Sequence, residues 1–171
     1  MTEAKSSPMT SLRDRKKQIL ESLHIDLAVP RWSDPELFIR YTPVALKEVE
    51  KAGKAVERAK AGDKSEASIN ANMDVLIRCH VGIYAVISGE KYCLDPDDPE
   101  RWVPFDPDAS NAEWTRIDET LAKALGVEDE RARAVCRELF NTELDIVAQA
   151  SRLVEWSGAY DDEARERFEG E

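Results

Sequence analysis

Apolar residues recur three or four positions apart along most of this chain, the spacing that places them on one face of an α-helix. The predicted helices cover residues 12–23, 43–61, 66–87, 114–125, 129–140 and 144–157. The segment that ends at Ile87 is apolar nearly all round in its last turns. We therefore expect those turns to lie in the centre of the core.

Two runs near the N-terminus predict β-strands instead. Residues 24–29 alternate apolar with polar or small side chains, and residues 37–41 are rich in β-forming residues. The turn-like sequence Ser33-Asp34-Pro35 separates them. The sequence thus predicts an α+β fold that is predominantly α-helical, with five or six helices and a small N-terminal β-hairpin.

Capping residues predict where several helices begin and end. Thr42-Pro43, Ser110-x-x-Glu113 and Thr142 are typical of helix N-termini. Gly126 and Gly158 are typical of C-terminal stops. Residues 88–109, which follow the predicted helix 66–87, contain four prolines, and these exclude a continuous helix. We predict an irregular loop there that packs on the body of the domain through its aromatic residues.

The length of 171 residues is that of one ordinary domain, and we find neither an internal repeat nor a linker. We predict a disordered N-terminus over residues 1–11, a single mainly helical domain over 12–158, and an acidic C-terminal tail over 159–171.

Charge narrows the classes of partner. The chain carries 24 basic and 35 acidic residues, a formal charge of −11. Binding to nucleic acid depends on neutralising phosphates, and the headgroups of anionic membranes repel acidic proteins, so we predict neither partner. We interpret the one basic cluster, at Arg13, Arg15, Lys16 and Lys17, as the solvated face of a helix.

Cysteine usage and hydropathy predict a cytoplasmic location. Three cysteines at irregular spacing favour reduced thiols over a disulfide framework. No run of ~18 apolar residues could span a bilayer, and residues 1–10 lack the apolar stretch of a secretory signal.

No sequence motif predicts catalysis, a cofactor or a metal site. Cys79, His80 and Cys93 lack a second ligand pair for zinc, and we interpret them as core residues. The acidic run over residues 95–100 lacks the glycine of a helix-loop-helix calcium loop and is typical of Asp-Pro turns. We find no glycine-rich phosphate loop and no nucleophile motif. We therefore predict a protein that is not an enzyme.

Two dipeptides, Arg31-Trp32 and Arg40-Tyr41, pair a cation with an aromatic ring on the predicted hairpin. Such pairs either bind a ligand or hold the hairpin against the body of the domain, and we favour the structural role.

Four blocks of sequence, taken in order, resemble the tail assembly chaperones of long-tailed, siphovirus-type phages of actinobacteria. They are Val29–Tyr41, Asn72–Tyr84, Leu125-Gly126-Val127 and Leu153–Ser157. The resemblance covers most of the chain between Val29 and Ser157 and lies in the order of the blocks, with no single signature motif. In those proteins a β-rich opening that ends in Arg-Tyr precedes a helix, and the second block is part of a long core helix.

The resemblance implies a non-enzymatic chaperone that binds the helical tape measure protein, keeps it soluble and promotes assembly of the tail tube. The tail tube protein and a second copy of the chain are further candidate partners. The family also implies a longer product made by ribosomal frameshifting. It further implies a location in the host cytoplasm and absence from the mature virion.

Candidate protein-binding residues are the large apolar side chains outside the helical stripes. They are Trp32, Phe38, Trp102, Phe105 and Trp156. Core packing is the alternative for each of them. Two other functions stay open: a structural head–tail connector or neck protein of the virion, and a small enzyme whose acidic site is hidden among abundant carboxylates.

Overall fold

The computed structural model describes residues 8–169, with side chains described for residues 10–19 and 22–158. Over this range the chain forms six α-helices, one short 3-10 turn at Ala61–Asp63 and five β-strands. The helices are α1 (Pro8–Ser22), α2 (Leu46–Arg58), α3 (Lys64–Cys79), α4 (Glu119–Leu125), α5 (Ala132–Phe140) and α6 (Glu143–Glu169). The strands are β1 (Ile25–Ala28), β2 (Glu36–Tyr41), β3 (His80–Ile87), β4 (Glu90–Leu94) and β5 (Trp102–Pro104).

The five strands form one antiparallel sheet in sequential order, β1-β2-β3-β4-β5. Strand β3 is central and places Ile83 opposite Ile39 of β2. It turns into β4 through Ser88 and Gly89, both with positive φ. A two-residue loop with positive φ at both positions matches the twist of a β-hairpin.

One face of the sheet supports the hydrophobic core. Leu37, Ile39 and Tyr41 alternate along β2 and are buried on this face. They share one buried cluster with side chains from α3, α5 and α6, among them Met73, Leu76, Leu139, Phe140, Ile146 and Leu153. These three helices therefore form the layer that covers this face.

The opposite face of the sheet carries polar and aromatic side chains and is crossed by residues 105–115, which we name the strap. The strap begins beside β4, where the Phe105 amide donates to the Lys91 carbonyl at 3.0 Å. It ends at β3, where the Ile83 amide donates to the Thr115 carbonyl at 2.7 Å. The strap thus adds a second, smaller layer to the sheet.

The structure corrects the predicted fold class. The strands are not limited to an N-terminal hairpin, because the segment predicted as the last turns of a long central helix is strand β3. Helix α3 ends at Cys79, so the second block of the family resemblance spans a helix and a strand. A strand with both faces covered is apolar on every side, as a buried helix is, and spacing alone cannot separate the two.

The predicted irregular loop over residues 88–109 also contains regular structure. Strands β4 and β5 pair through Cys93 and Val103, and Pro104 closes the last, edge strand. Proline is compatible with an edge strand because its missing N–H need not face a neighbour.

Several predicted helix ends shift. Helix α4 does not begin at the predicted Ser110 capping box but after Asp118, whose carboxylate accepts from the Thr120 amide at 3.0 Å. Helix α2 begins at Leu46, while Thr42 donates instead to the Cys79 carbonyl. Helix α6 continues through Gly158 to Glu169.

Other predicted ends are confirmed. Gly126 terminates α4 in the left-handed conformation, with φ of 71°. The Thr142 hydroxyl accepts from the Asp145 amide at the start of α6. Of the two predicted terminal segments, residues 8–11 lie in α1 and residues 159–169 in α6, while residues 1–7 and 170–171 lie outside the described residues.

Candidate functional site

An apolar groove of about 330 Å³ opens between one end of the sheet and helix α4. Its lining includes Trp32, Leu37, Leu94, Trp102, Leu121 and Leu125. Trp32 and Trp102 were two of the five residues predicted to bind protein, and the fold brings them together although 70 positions separate them. We name this site the Trp32–Trp102 groove.

The Trp32 wall is held firmly by the loop between β1 and β2. The Trp32 indole N–H donates to the Leu139 carbonyl at the end of α5 at 2.8 Å. The neighbouring Arg31, with φ of 72°, donates from Nε to the Asp145 carboxylate at 2.7 Å. These contacts are those of a structural attachment, the role that we favoured for the Arg31-Trp32 pair.

The Trp102 wall is formed by the edge strand β5 and the acidic loop before it, residues 95–101. The Asp95 and Asp98 carboxylates accept from backbone amides two residues further on, those of Asp97 and Glu100. Such hydrogen bonds are the turn chemistry expected of Asp-Pro sequences. The Trp102 side chain is 39% exposed and is therefore available for contact.

The third wall is helix α4. Its N-cap Asp118 and its C-terminal Gly126 fix a helix of only seven residues. Leu121 and Leu125 lie four positions apart on it, and side chains at that spacing share a helix face. This face completes the groove.

The groove can bind apolar groups but offers few groups for chemistry. In the part of the chain that the structure describes, its charged lining consists of Glu100 and Lys123, and the hydroxyl of Tyr84, which also lines the groove, donates to Asp26 on the opposite face of the sheet. A cavity lined mainly by aliphatic and aromatic side chains binds through the removal of apolar surface from water. Groups of three or more potential metal ligands do not occur among the described residues.

Two other candidate residues lie on the opposite face of the sheet. Phe38 stacks on Tyr84 with ring centroids 5.4 Å apart. Phe105 of the strap meets Trp114 edge-on at 4.9 Å. These four partly or fully buried rings form one aromatic cluster that attaches the strap to the sheet. The fifth candidate, Trp156 on α6, is partly buried against the core.

An ion pair lies beside this aromatic cluster. Arg40 donates from Nε and Nη2 to the two oxygens of Asp26, at 2.7 and 3.0 Å. Its Nη1 donates to the Pro107 carbonyl of the strap at 2.9 Å, and its guanidinium carbon lies 5.3 Å from the centre of the Trp114 ring. The Tyr84 hydroxyl also donates to Asp26, at 2.9 Å.

These contacts change the pKa values of the groups involved. Burial alone would raise the pKa of Asp26, but the hydrogen bonds from Arg40 and Tyr84 outweigh it, and the pKa is lowered. Burial and the Asp26 carboxylate together raise the pKa of Tyr84. Arg40 and Asp26 are therefore a paired, charged unit that joins sheet and strap, and Arg40-Tyr41 too has the structural role that we favoured.

Cys79, His80 and Cys93 show no metal-site geometry. The His80 Nδ1 donates to the Ile77 carbonyl and its Nε2 accepts from the Ile117 amide at 3.2 Å, so both ring nitrogens are occupied. The three cysteines are free and buried. Burial raises the pKa of Cys79 to about 11 and that of Cys136 to about 12, so these thiols are protonated at neutral pH.

Comparison with known proteins gives no family to which the chain can be assigned. No family model, no curated protein and no solved structure matches it. Within the described residues, no helix combines the length and the apolar character that crossing a bilayer requires.

Sequence reasoning missed most of the groove. Leu37, Leu121 and Leu125 belong to ordinary apolar runs and Leu94 lies in the predicted loop, and nothing in their local sequence distinguishes them from core residues. The one usable signal was the set of large apolar side chains outside the helical stripes, which included Trp32 and Trp102.

Proposed function

We propose that this protein is a non-enzymatic chaperone that binds a helical polypeptide through the Trp32–Trp102 groove. The observation that carries the proposal is the groove itself, an open apolar site with an exposed tryptophan on one wall and a leucine pair on another. Amphipathic helices bind in such grooves by inserting apolar side chains spaced three or four residues apart.

The charge of the chain suits this role. A protein that shields an apolar client must itself stay soluble, and a net charge of −11 on 171 residues favours solubility of the complex. The groove is too small to enclose a whole helix, so it binds a few side chains of the client at a time. Several copies along a long client would then be needed to cover it.

The client that we propose, on the basis of the sequence resemblance, is the tape measure protein of a phage tail. In this proposal the chaperone holds that long helical protein in solution until the tail tube protein polymerises around it. It acts in the host cytoplasm and is absent from the finished virion. A frameshifted longer product would carry the same groove.

Co-expression with the tape measure protein tests the proposal. We expect the client to be soluble with the wild-type chain and to precipitate with Trp102→Asp, which places a charge in the groove. Leu144→Asp is the matched control, because Leu144 is 81% exposed on α6 and does not line the groove. Thermal unfolding of each variant alone verifies that it is folded.

Two results would contradict the proposal. One is a client that is equally soluble without the chain, and the other is full solubility with Trp102→Asp. Purified virions give a separate test, since stoichiometric amounts of the chain in mature particles would instead identify a head–tail connector.

A further inference from the structure

Helix α1 presents apolar side chains to solvent. Every side chain that the structure describes in α1 is exposed, including Leu12 at 72% and Ile19 at 47%. These two residues are seven positions apart, so they lie on the same side of the helix, about two turns from one another. A single helix of 15 residues is marginal in water without a packing partner. The fold therefore leaves α1 with a face suited to a partner.

The charge of α1 is opposite to that of the chain as a whole. Residues 8–22 contain four basic residues, the cluster that begins at Arg13, and two acidic ones. The whole chain carries −11. A surface complementary to α1 would be apolar and bordered by carboxylates.

The Trp32–Trp102 groove has an apolar floor and an acidic side. The loop that forms one wall, residues 95–101, contains four carboxylates and one arginine, while Lys123 is the basic residue of the lining and lies on the α4 wall. Glu100 of this loop lines the groove directly. Leu12 and Ile19 match the floor, while Arg13, Arg15 and Lys16 match the wall.

The position of α1 in its own chain favours docking to another copy. Only Leu23 and His24 connect α1 to β1, and β1 begins opposite Tyr41, at the end of β2 away from Leu37 and the groove. Trp102 lies on β5, at the other edge of the sheet from β1. Four strand spacings of about 4.8 Å separate these edges. The short connection and this distance hold α1 away from the groove of its own copy. The α1 helix of a second copy is not held in this way and can reach the groove.

We infer that α1 of one copy binds in the Trp32–Trp102 groove of a second copy, with Leu12 and Ile19 as its anchors. Reciprocal exchange of the two helices closes a symmetric dimer. The inference goes beyond the proposed client and does not depend on it. If the same groove also binds a client, then client binding and self-association exclude one another.

Sedimentation velocity of the full chain, over a range of concentrations and at low and high salt, tests the inference. We expect a dimer that weakens as salt screens the basic helix from the acidic loop. The double variant Leu12→Asp/Ile19→Asp and the single variant Trp102→Asp should each associate at least tenfold more weakly. Leu144→Asp, which removes an exposed leucine elsewhere, should associate like the wild-type chain.

Mixing the two weakened variants gives the sharpest result. Trp102→Asp retains an intact α1 and the double variant retains an intact groove, so together they restore one of the two contacts. We expect a 1:1 complex in the mixture that neither variant forms alone. Circular dichroism of each variant verifies that the sheet and helices are retained.

A wild-type chain that stays monomeric at all concentrations would overturn the inference, as would a dimer that withstands both sets of substitutions or variants that fail to complement. The double variant also separates this inference from the proposed function. Its groove is intact, so it should still keep the tape measure protein soluble even when it no longer forms a dimer.

Discussion

Gly82 lies directly beneath Trp114, so that a Cβ added to Gly82 would be 2.5 Å from the Cβ of Trp114 and 2.6 Å from its Cε3. The indole of the strap thus rests on the bare backbone of the central strand. Glycine normally weakens a strand, and here it marks the place where another segment approaches closely. This contact fixes where the strap crosses the sheet.

Gly82→Ala should therefore destabilise the protein. The added methyl cannot be accommodated unless Trp114 and the strap move, and overpacking of this kind costs about 1–3 kcal/mol. Chemical denaturation of the variant measures the loss in the free energy of unfolding.

A double-mutant cycle supplies the control. In a Trp114→Gly background, which removes the Trp114 Cβ together with its indole, Gly82→Ala should cost much less than in the wild-type background. An equal cost in both backgrounds would show that the contact with Trp114 is not the cause.

The Asp26–Arg40 pair should stabilise the attachment of the strap. Arg40 is buried, and Asp26→Asn leaves its charge without its main partner. Removal of one member of a fully buried pair costs about 3 kcal/mol or more. The Asp26 side chain is 23% exposed and Arg40 keeps its contacts with Asp108 and the Pro107 carbonyl, so we expect a smaller loss, about 1–3 kcal/mol in the free energy of unfolding.

Asp129→Asn is the matched control for Asp26→Asn. Asp129 also forms a two-oxygen contact with an arginine, Arg131, but that arginine side chain is 84% exposed. Little change in stability is expected there, because water screens exposed pairs. Equal losses at the two sites would refute the role assigned to burial.

His80 should make stability depend on pH. Burial lowers the pKa of His80 below its ordinary 6.5, so the unfolded chain takes up a proton before the folded one as the pH falls. The contribution of His80 to the free energy of unfolding is therefore constant well above pH 6.5 and is lost as the pH drops through 6.5 towards the folded-state pKa. One such group contributes a slope of at most about 1.4 kcal/mol per pH unit.

Thermal melts between about pH 7.5 and 5.5, a range in which histidine titrates, measure this slope. His80→Gln should reduce it, whereas His24→Gln, which removes the other histidine, should leave the contribution of His80 in place. An identical slope in wild type and His80→Gln would contradict the prediction.

The main error in predicting the fold concerns residues 80–87, and it has a physical cause. The segment is apolar on both sides because it is the central strand, with helices over one face and the strap over the other. Its composition did contain a signal, since Val81, Ile83, Val86 and Ile87 are β-branched and favour strands. The following Ser88-Gly89 suits a two-residue hairpin turn better than a helix end.

A second error shows the limit of local motifs. Ser110-x-x-Glu113 has the pattern of a helix N-terminus, but the residues after it are held by contacts distant in sequence. Trp114 packs on Gly82, and Thr115 pairs with Ile83. These tertiary contacts override the local preference, and the helix begins only after Asp118.

The candidate site was predictable only in part. Large apolar side chains outside the helical stripes pointed to Trp32 and Trp102, but the proximity of these two residues depends on the order of strands in the sheet. Phe38 and Phe105, chosen by the same criterion, lie in the aromatic cluster on the opposite face. Composition therefore identified the residue type, while topology decided which of these residues share a surface.

Gly158 tests where helix α6 ends. We predicted that it stops the helix, whereas the structure places it inside a helix that continues to Glu169, with nothing within 4 Å of an added Cβ. Gly158→Ala should then raise the free energy of unfolding by about 0.5–1 kcal/mol, because alanine has the higher helix propensity. Gly126→Ala is the matched comparison, since Gly126 has a φ of 71° and an equally open surrounding. There alanine should lower stability, because its side chain is strained in the left-handed conformation. Denaturant unfolding measures whether the free energy of unfolding rises or falls in each variant. A loss of stability in Gly158→Ala as well would show that α6 ends at Gly158.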